Sequence, residues 1–386
     1  MSSPSHPARQ PCRSGRSKSQ RKFLKSLETA MLAGFVSLLA GCSTEKSSSP
    51  ANSRIFEAWD VLNQPSRFGR QFETRYESLP RSGRLATIPW SDYYWPTQRA
   101  GIAYRWLNPG SPPFGYALLS QQALRSMSGE EISKLSPAEK LDVFMGRFDF
   151  PTVKSERRRT YPGAAAWEGL CHGWAPAALH FAEPKPVSIN SVDGIKINFG
   201  SADVKALLGW HTALHNSLGA VGLGGRCNLS GSIGMSTSAC RDSNAGAFHV
   251  VLTNMLGRFK EGFIIDIARA AEVWNQPVYG FRSREVSRQG PSPGAAVGTK
   301  QEIIVESEVY YTTETEPQWN ALGQLTERPS VATAVYRYRI EVDSAGTIRG
   351  GEWLQDARPD FLWMQQHGGF SATYKAIQKI YEASIR

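Results

Sequence analysis

The chain has 386 residues, a formal net charge of +10 and 41% hydrophobic residues, enough to bury a sizeable core and longer than a typical single domain. Residues 1–41 carry seven basic side chains and one acidic one, so the remainder holds only +4, an ordinary surface. No basic run with interleaved aromatics follows residue 41, which argues against nucleic acid as a partner.

The first stretch sets Arg9, Arg13, Arg16, Lys18, Arg21, Lys22 and Lys25 against Glu28 and leads into an apolar run, Ala30 to Ala40. That run is too short to span a bilayer and reads as an export signal. It ends in Leu39-Ala40-Gly41-Cys42, where residues 1–41 resemble a bacterial lipoprotein signal. The resemblance implies an exported protein anchored to a membrane, periplasmic or at the cell surface, through lipid on Cys42. An uncleaved anchor, or a mis-called start codon upstream of a shorter signal, is the alternative. Residues 42–53, poor in apolar side chains and rich in serine, read as a flexible tether. No second linker follows, so 54–386 is expected to be one large domain with subdomains, a mainly helical part over 54–160 and a core over 161–386.

Within 54–160, Phe56-Glu57-Ala58-Trp59 opens a short helix. Pro89-Trp90-Ser91-Asp92-Tyr93-Tyr94-Trp95-Pro96 is an aromatic loop that either lines a cleft or packs on itself. Ser128-Gly129-Glu130-Glu131 and Ser136-Pro137-Ala138-Glu139 carry the capping-box pattern of helix starts.

The chain is organised around Trp167-Glu168-Gly169-Leu170-Cys171-His172-Gly173-Trp174-Ala175-Pro176. Pro176 lacks an N–H and clashes with the preceding turn, so a helix through Ala177-Ala178-Leu179 must begin within about one turn before it. Cys171 then sits at a helix start, whose free N–H groups favour a thiolate. A small apolar residue at the base of a helix is the bland alternative. Cysteine usage sharpens the choice. Of five cysteines, Cys12 leaves with the signal and Cys42 takes lipid, while Cys227 and Cys240 flank a polar loop and are expected to pair in an oxidising compartment. Cys171 is left as a single thiol, and a nucleophilic role explains it.

Val187-Ser188-Ile189-Asn190 and Ile195 to Phe199 alternate around Asp193-Gly194, a hairpin signal. Val204 to Leu214 reads as an amphipathic helix. His211 and His215 lie four apart on it, but no third ligand stands nearby, so a metal site is not expected. His172 and His180 have no partner at a telling spacing.

Phe248 to Asn254 and Gly262 to Ile267 are β-branched runs around Gly257, and they read as an antiparallel hairpin. A turn centred between Gly257 and Arg258 sets His249 opposite Asp266, with Cβ atoms about 5 Å apart. A carboxylate there would orient the imidazole of a Cys-His pair, giving a Cys171, His249, Asp266 triad. A buried His-Asp pair without a catalytic role is the alternative. Gln301 to Thr313 and Ala334 to Val342 read as strands, Asp343 to Gly346 as a turn, and Ser371 to Ile385 as a C-terminal helix.

Val273-Trp274-Asn275-Gln276-Pro277-Val278-Tyr279-Gly280-Phe281 closely resembles the surface peptide of the transglutaminase elicitors of plant-pathogenic oomycetes, which plants perceive as an immune signal. Tyr279 stands where the family peptide usually has Arg. Cys171 to Ala178, Asn244 to His249, Gly350-Gly351-Glu352-Trp353 and Arg358-Pro359-Asp360-Phe361-Leu362-Trp363 are similar to this family and its bacterial relatives, over about residues 80 to 365. The resemblance implies an α+β, papain-like and transglutaminase-like core, its nucleophile at a helix start packed on an antiparallel sheet. It implies a calcium-independent protein-glutamine γ-glutamyltransferase with no cofactor, acting on protein glutamines and on lysine or other amines through a Cys171 thioester. The alternatives are a papain-like protease or deamidase, or a non-catalytic lipid-anchored binding protein. Cys171 matches the family nucleophile, and Asn275 is a second candidate for the orienting role of Asp266, although its place within the peptide run favours a loop-stabilising role. Papain-type proteases carry a Gln shortly before the nucleophile, where this chain has Ala164-Ala165-Ala166-Trp167-Glu168. The oxyanion donors are therefore open, with the Cys171 N–H and the Trp167 or Trp174 indole as candidates.

Overall fold

The computed structural model describes residues 60–216, 218–225, 242–267, 272–322 and 330–386. The export signal, Cys42, the tether, the Phe56 helix start and the Cys227–Cys240 pair lie outside the described residues. Among the described residues no helix is long and apolar enough to cross a membrane.

Prolines 65, 80, 89, 96, 109, 112 and 113 punctuate the early chain, and each withholds a backbone donor. Up to about residue 120 this region therefore forms short 3-10 turns and a three-residue strand, β1 (Ser82–Arg84), rather than the expected helices. Helices begin with Gln121–Ser126, Gly129–Ser133, Pro137–Phe144 and Pro151–Arg159. The second and third start in full capping boxes: the Ser128 and Ser136 hydroxyls accept the N3 N–H, and Glu131 and Glu139 accept back from the cap. The aromatic loop is core rather than cleft lining, with Trp90, Tyr93 and Trp95 buried. Its Trp90 indole donates to the Phe181 carbonyl at 2.9 Å.

β2 (Val187–Asn190) and β3 (Lys196–Phe199) form the expected hairpin, Val187 facing Phe199, with Gly194 at φ +78° in the turn. The remaining strands build one antiparallel sheet from β4 (Ala220–Gly224), β5 (Phe263–Asp266), β6 (Asn275–Gln289), β7 (Gln301–Thr312), β8 (Val331–Val342), β9 (Ile348–Trp353) and β10 (Phe361–Gln365). Their order is β4-β10-β5-β6-β7-β8-β9, with β1 added on β6. The C-terminal helix spans Lys375–Ser384. This is the α+β architecture expected.

The sheet divides two cores, because successive residues of a strand point to opposite faces. Ile264 joins the core of Leu170, Trp174 and the helix Ser201–His215. Its neighbours Phe263 and Ile265 join the other core, with Phe248, Val251 and Leu252. On the first side the helix Cys171–His180 packs on Ser201–His215 so closely that a Cβ at Gly173 would lie 2.1 Å from the Gly209 carbonyl oxygen.

Two expectations fail here. His249 is not on a strand: Ala245–Leu252 is a helix, capped by the Asn244 side chain on the Gly246 and Ala247 N–H groups, and a π-helical turn carries it on over Thr253–Phe259. Phe248, Val251, Leu252, Met255 and Leu256 are all buried. Those positions also satisfy a helical period, and burial against the sheet outweighs the β preference of valine. β5 lies between β10 and β6, and its pairing with β6 sets Asp266 opposite Asn275 instead of His249. The second failure concerns the run from Val273 to Phe281, which the resemblance implied to be a surface peptide. From Asn275 on it forms the start of β6, paired with both β5 and β7, and Asn275 through Phe281 are buried. Tyr279, in place of the usual Arg, lies with its ring 5.2 Å from the Arg84 guanidinium.

Candidate active site

Cys171 is the first residue of the helix Cys171–His180. Leu170 precedes it in a non-helical conformation and gives no side-chain cap, while its carbonyl accepts from the Gly173 and Trp174 N–H groups at 2.9 Å each, so the positive helix end lies at the first residues, Cys171 and His172. Pro176 falls in the sixth helical position, where it withholds the N–H that would bond His172 and leaves the turn around Cys171 intact. The aromatic loop fixes this start from outside: Leu170 N–H donates to the Tyr94 carbonyl at 2.6 Å and Thr97 N–H to the Glu168 carbonyl at 2.8 Å. Gly169 fits beneath the Tyr94 carbonyl, 2.3 Å from where a Cβ would stand.

The thiol is 4% exposed and faces the first residues of the elicitor-like run. Sγ lies 3.8 Å from the Val273 carbonyl and 3.4 Å from Nδ2 of Asn275, which donates to it. The Asn275 Oδ1 accepts from the Trp363 indole at 2.8 Å. Asp266, opposite Asn275 and thus on the same face of the sheet, accepts the Trp274 N–H on Oδ1 at 3.3 Å. Burial pushes the Cys171 thiol up, the Asn275 hydrogen bonds pull it back, and the Glu314 and Asp266 charges add smaller rises. Glu314, itself raised by burial, accepts both bonds from the Gln276 amide, at 2.9 and 3.0 Å.

Three of the four catalytic candidates thus converge: Cys171, Asp266 and Asn275. His249 does not join them. It lies on the helix packed against the opposite face of the sheet, its Nδ1 bonded to the Tyr338 hydroxyl at 2.8 Å and its ring stacked on Tyr76. Burial drops it to about 3, so it stays neutral. Of the proposed oxyanion donors, the Trp174 indole is committed to the Trp90 carbonyl at 3.3 Å. His172 is held near 4 by burial and Arg159, and His180 reaches the Gln365 carbonyl at 2.6 Å. Around His211 the structure gathers His215 and His367 as well as Phe370 and Tyr374. Among the described residues no His, Cys, Asp and Glu group could hold a metal ion.

Sequence reasoning missed Trp363 as part of the site. It is 88 positions from Asn275, with no local pattern to connect them. The signal available was chemical: a Trp within a family motif carries one donor that wants a partner when it is covered.

Residues 152–382 match the family model described as transglutaminase elicitor. No curated protein matches the chain. Among solved structures it is similar to the GP42 transglutaminase from Phytophthora sojae, with 24% sequence identity and a TM-score of 0.63, covering 85% of this chain and 99% of that one. At that identity the likeness is one of fold.

Proposed function

The chain belongs to the transglutaminase elicitor family, and from that premise we propose that it is a protein-glutamine γ-glutamyltransferase whose nucleophile is Cys171. The observation that carries this reading is the contact of the Asn275 amide with a thiol at the first position of a helix. Deprotonated Cys171 sulfur attacks the carboxamide carbon of a protein glutamine. The tetrahedral intermediate collapses with loss of ammonia, which leaves with the proton taken from the thiol, and a thioester remains. A lysine or other primary amine then attacks the thioester carbon, the C–S bond breaks, and an isopeptide bond and the free thiol result. Asp266 is the carboxylate on the same face as Asn275, and we assign it the role of receiving and returning the proton. The 4% exposure of Cys171 requires the chain over the thiol to part as substrate enters.

The test is joining of dansylcadaverine to casein glutamines by the protein beginning at Cys42, without added calcium. Cys171→Ser is expected to abolish it. Full activity in that variant would end the proposal; Cys171-dependent peptide cleavage without amine incorporation would move the protein to the protease alternative, and ammonia release alone to the deamidase.

We also propose, from the charged and apolar pattern of residues 1–42 and the cysteine usage of the sequence, that lipid on Cys42 anchors the enzyme to a membrane and that Cys227 pairs with Cys240, a bond that would contribute about 3 kcal/mol. Labelling with a fatty-acid analogue should be lost in Cys42→Ala. Non-reducing peptide mapping should find Cys227 joined to Cys240 and Cys171 free.

A further inference from the structure

The amide of Asn275 can face the thiol in two ways, and the neighbour that chooses between them comes from a distant strand. Trp363 lies on β10, opposite Ile264 of β5, and its indole passes over β5 to reach Asn275 on β6 at 2.8 Å. An indole N–H only donates, so the group facing it must be the amide oxygen. That leaves Nδ2, with its two N–H bonds, directed at Cys171 Sγ at 3.4 Å. Flipped, the amide would set an acceptor against the sulfur and a donor against a donor. On the other flank Trp363 packs on Gly222, across from it on β4, where a Cβ would come within 3.0 Å of the Trp363 Cβ. A side chain at position 222 would therefore displace the Trp363 stem.

We propose that Trp363 is a positioning residue that locks the Asn275 amide with Nδ2 toward the reacting centre, where it donates first to the thiolate and then to the oxyanion of the tetrahedral intermediate, beside the Cys171 backbone N–H. The inference rests on Cys171 as nucleophile. It supplies the oxyanion donor that the segment before the nucleophile, Ala164 to Glu168, lacks. An oxyanion is bonded to the carbon attached to sulfur, so a donor in contact with sulfur needs only a small shift to reach it, and preorganised donors of this kind are worth about 10²–10³ in rate.

Two readouts separate the lock from the transferase reading. The first is the pH profile of Cys171 alkylation by iodoacetamide, which needs no acyl substrate; the second is amine incorporation. Trp363→Phe keeps the aromatic packing and removes the donor. It should move the alkylation profile to higher pH and lower kcat about tenfold, with KM little changed. Asn275→Asp keeps an acceptor for the indole but loses the donor to sulfur, and should lower kcat about 10²-fold. With Asn275→Ala already in place, Trp363→Phe should add nothing to either readout, because the indole acts only through the amide. Additive losses in that double variant, or an unmoved alkylation profile in a Trp363→Phe protein that melts like the parent, would overturn the lock. A shifted profile in a parent protein that incorporates no amine would leave the lock standing and remove the transferase reading.

Discussion

Asp266 and Asn275 face each other across β5 and β6, and the amide of Asn275 touches the Cys171 sulfur. The carboxylate therefore shares a sheet face with the nucleophile, while His249 occupies the far side. This arrangement separates two variants that a Cys-His-Asp hairpin would both have made catalytic defects, with His249 the more severe. Asp266→Asn should lower kcat about 10²-fold, the range of a lost general acid or base, and flatten the pH dependence of the rate. His249→Phe should hold kcat within a few-fold while lowering the melting temperature, because it breaks the buried Tyr338 hydrogen bond. Initial rates of amine incorporation and thermal melts on both variants check this; a rate collapse in His249→Phe at unchanged stability would return the imidazole to the site.

Gly173 offers a steric test of how the nucleophile is placed. A methyl there would meet the Gly209 carbonyl oxygen at 2.1 Å and the Ala213 Cβ at 2.6 Å. The first of these is backbone and cannot rotate away. Gly173→Ala should push the two helices apart, costing about 1–3 kcal/mol by urea denaturation, and should slow Cys171 alkylation or amine transfer because Cys171 lies two residues upstream. Unchanged stability would show that the helices slide past each other without strain.

What the sequence made legible follows from where the signals are local. Ser128 and Ser136 sit three residues before Glu131 and Glu139, and both capping boxes form. Pro176 bounded the helix start, and Cys171 stands there. Gly194 marked the β2–β3 turn. The site's remaining partners are joined by the sheet rather than by the chain. Trp363 meets Asn275 only because β10 pairs with β5, next to β6 in the sheet order, a non-local ordering that no local periodicity records. His249 misled for a related reason. Phe248, Val251 and Leu252 fit a buried strand as well as a buried helix, and only the Asn244 cap before them favoured the helix. The elicitor-like run showed a different limit: its resemblance is local, but its burial depends on the strands on either side.

The histidines set an acid limit on stability. His211 is fully buried, with neither ring nitrogen hydrogen-bonded among the described residues, and burial, with His367 and His215 adding to it, drops it to about 4 from 6.5. It is thus neutral in the folded protein at pH values where the unfolded chain binds a proton. The stability this lends is complete above pH 6.5 and is lost as pH falls toward 4, where the folded form also titrates. The size is on the order of 3 kcal/mol for a shift of this kind. The ring stands against Phe370 and Tyr374 and near His215 and His367, so an apolar replacement removes the titration without stranding a partner. His211→Leu should therefore gain stability relative to the parent on going from pH 8 to pH 5, whatever its offset at pH 8. Denaturant titrations at both pH values check this, and a difference between the two proteins that stays constant with pH would rule it out.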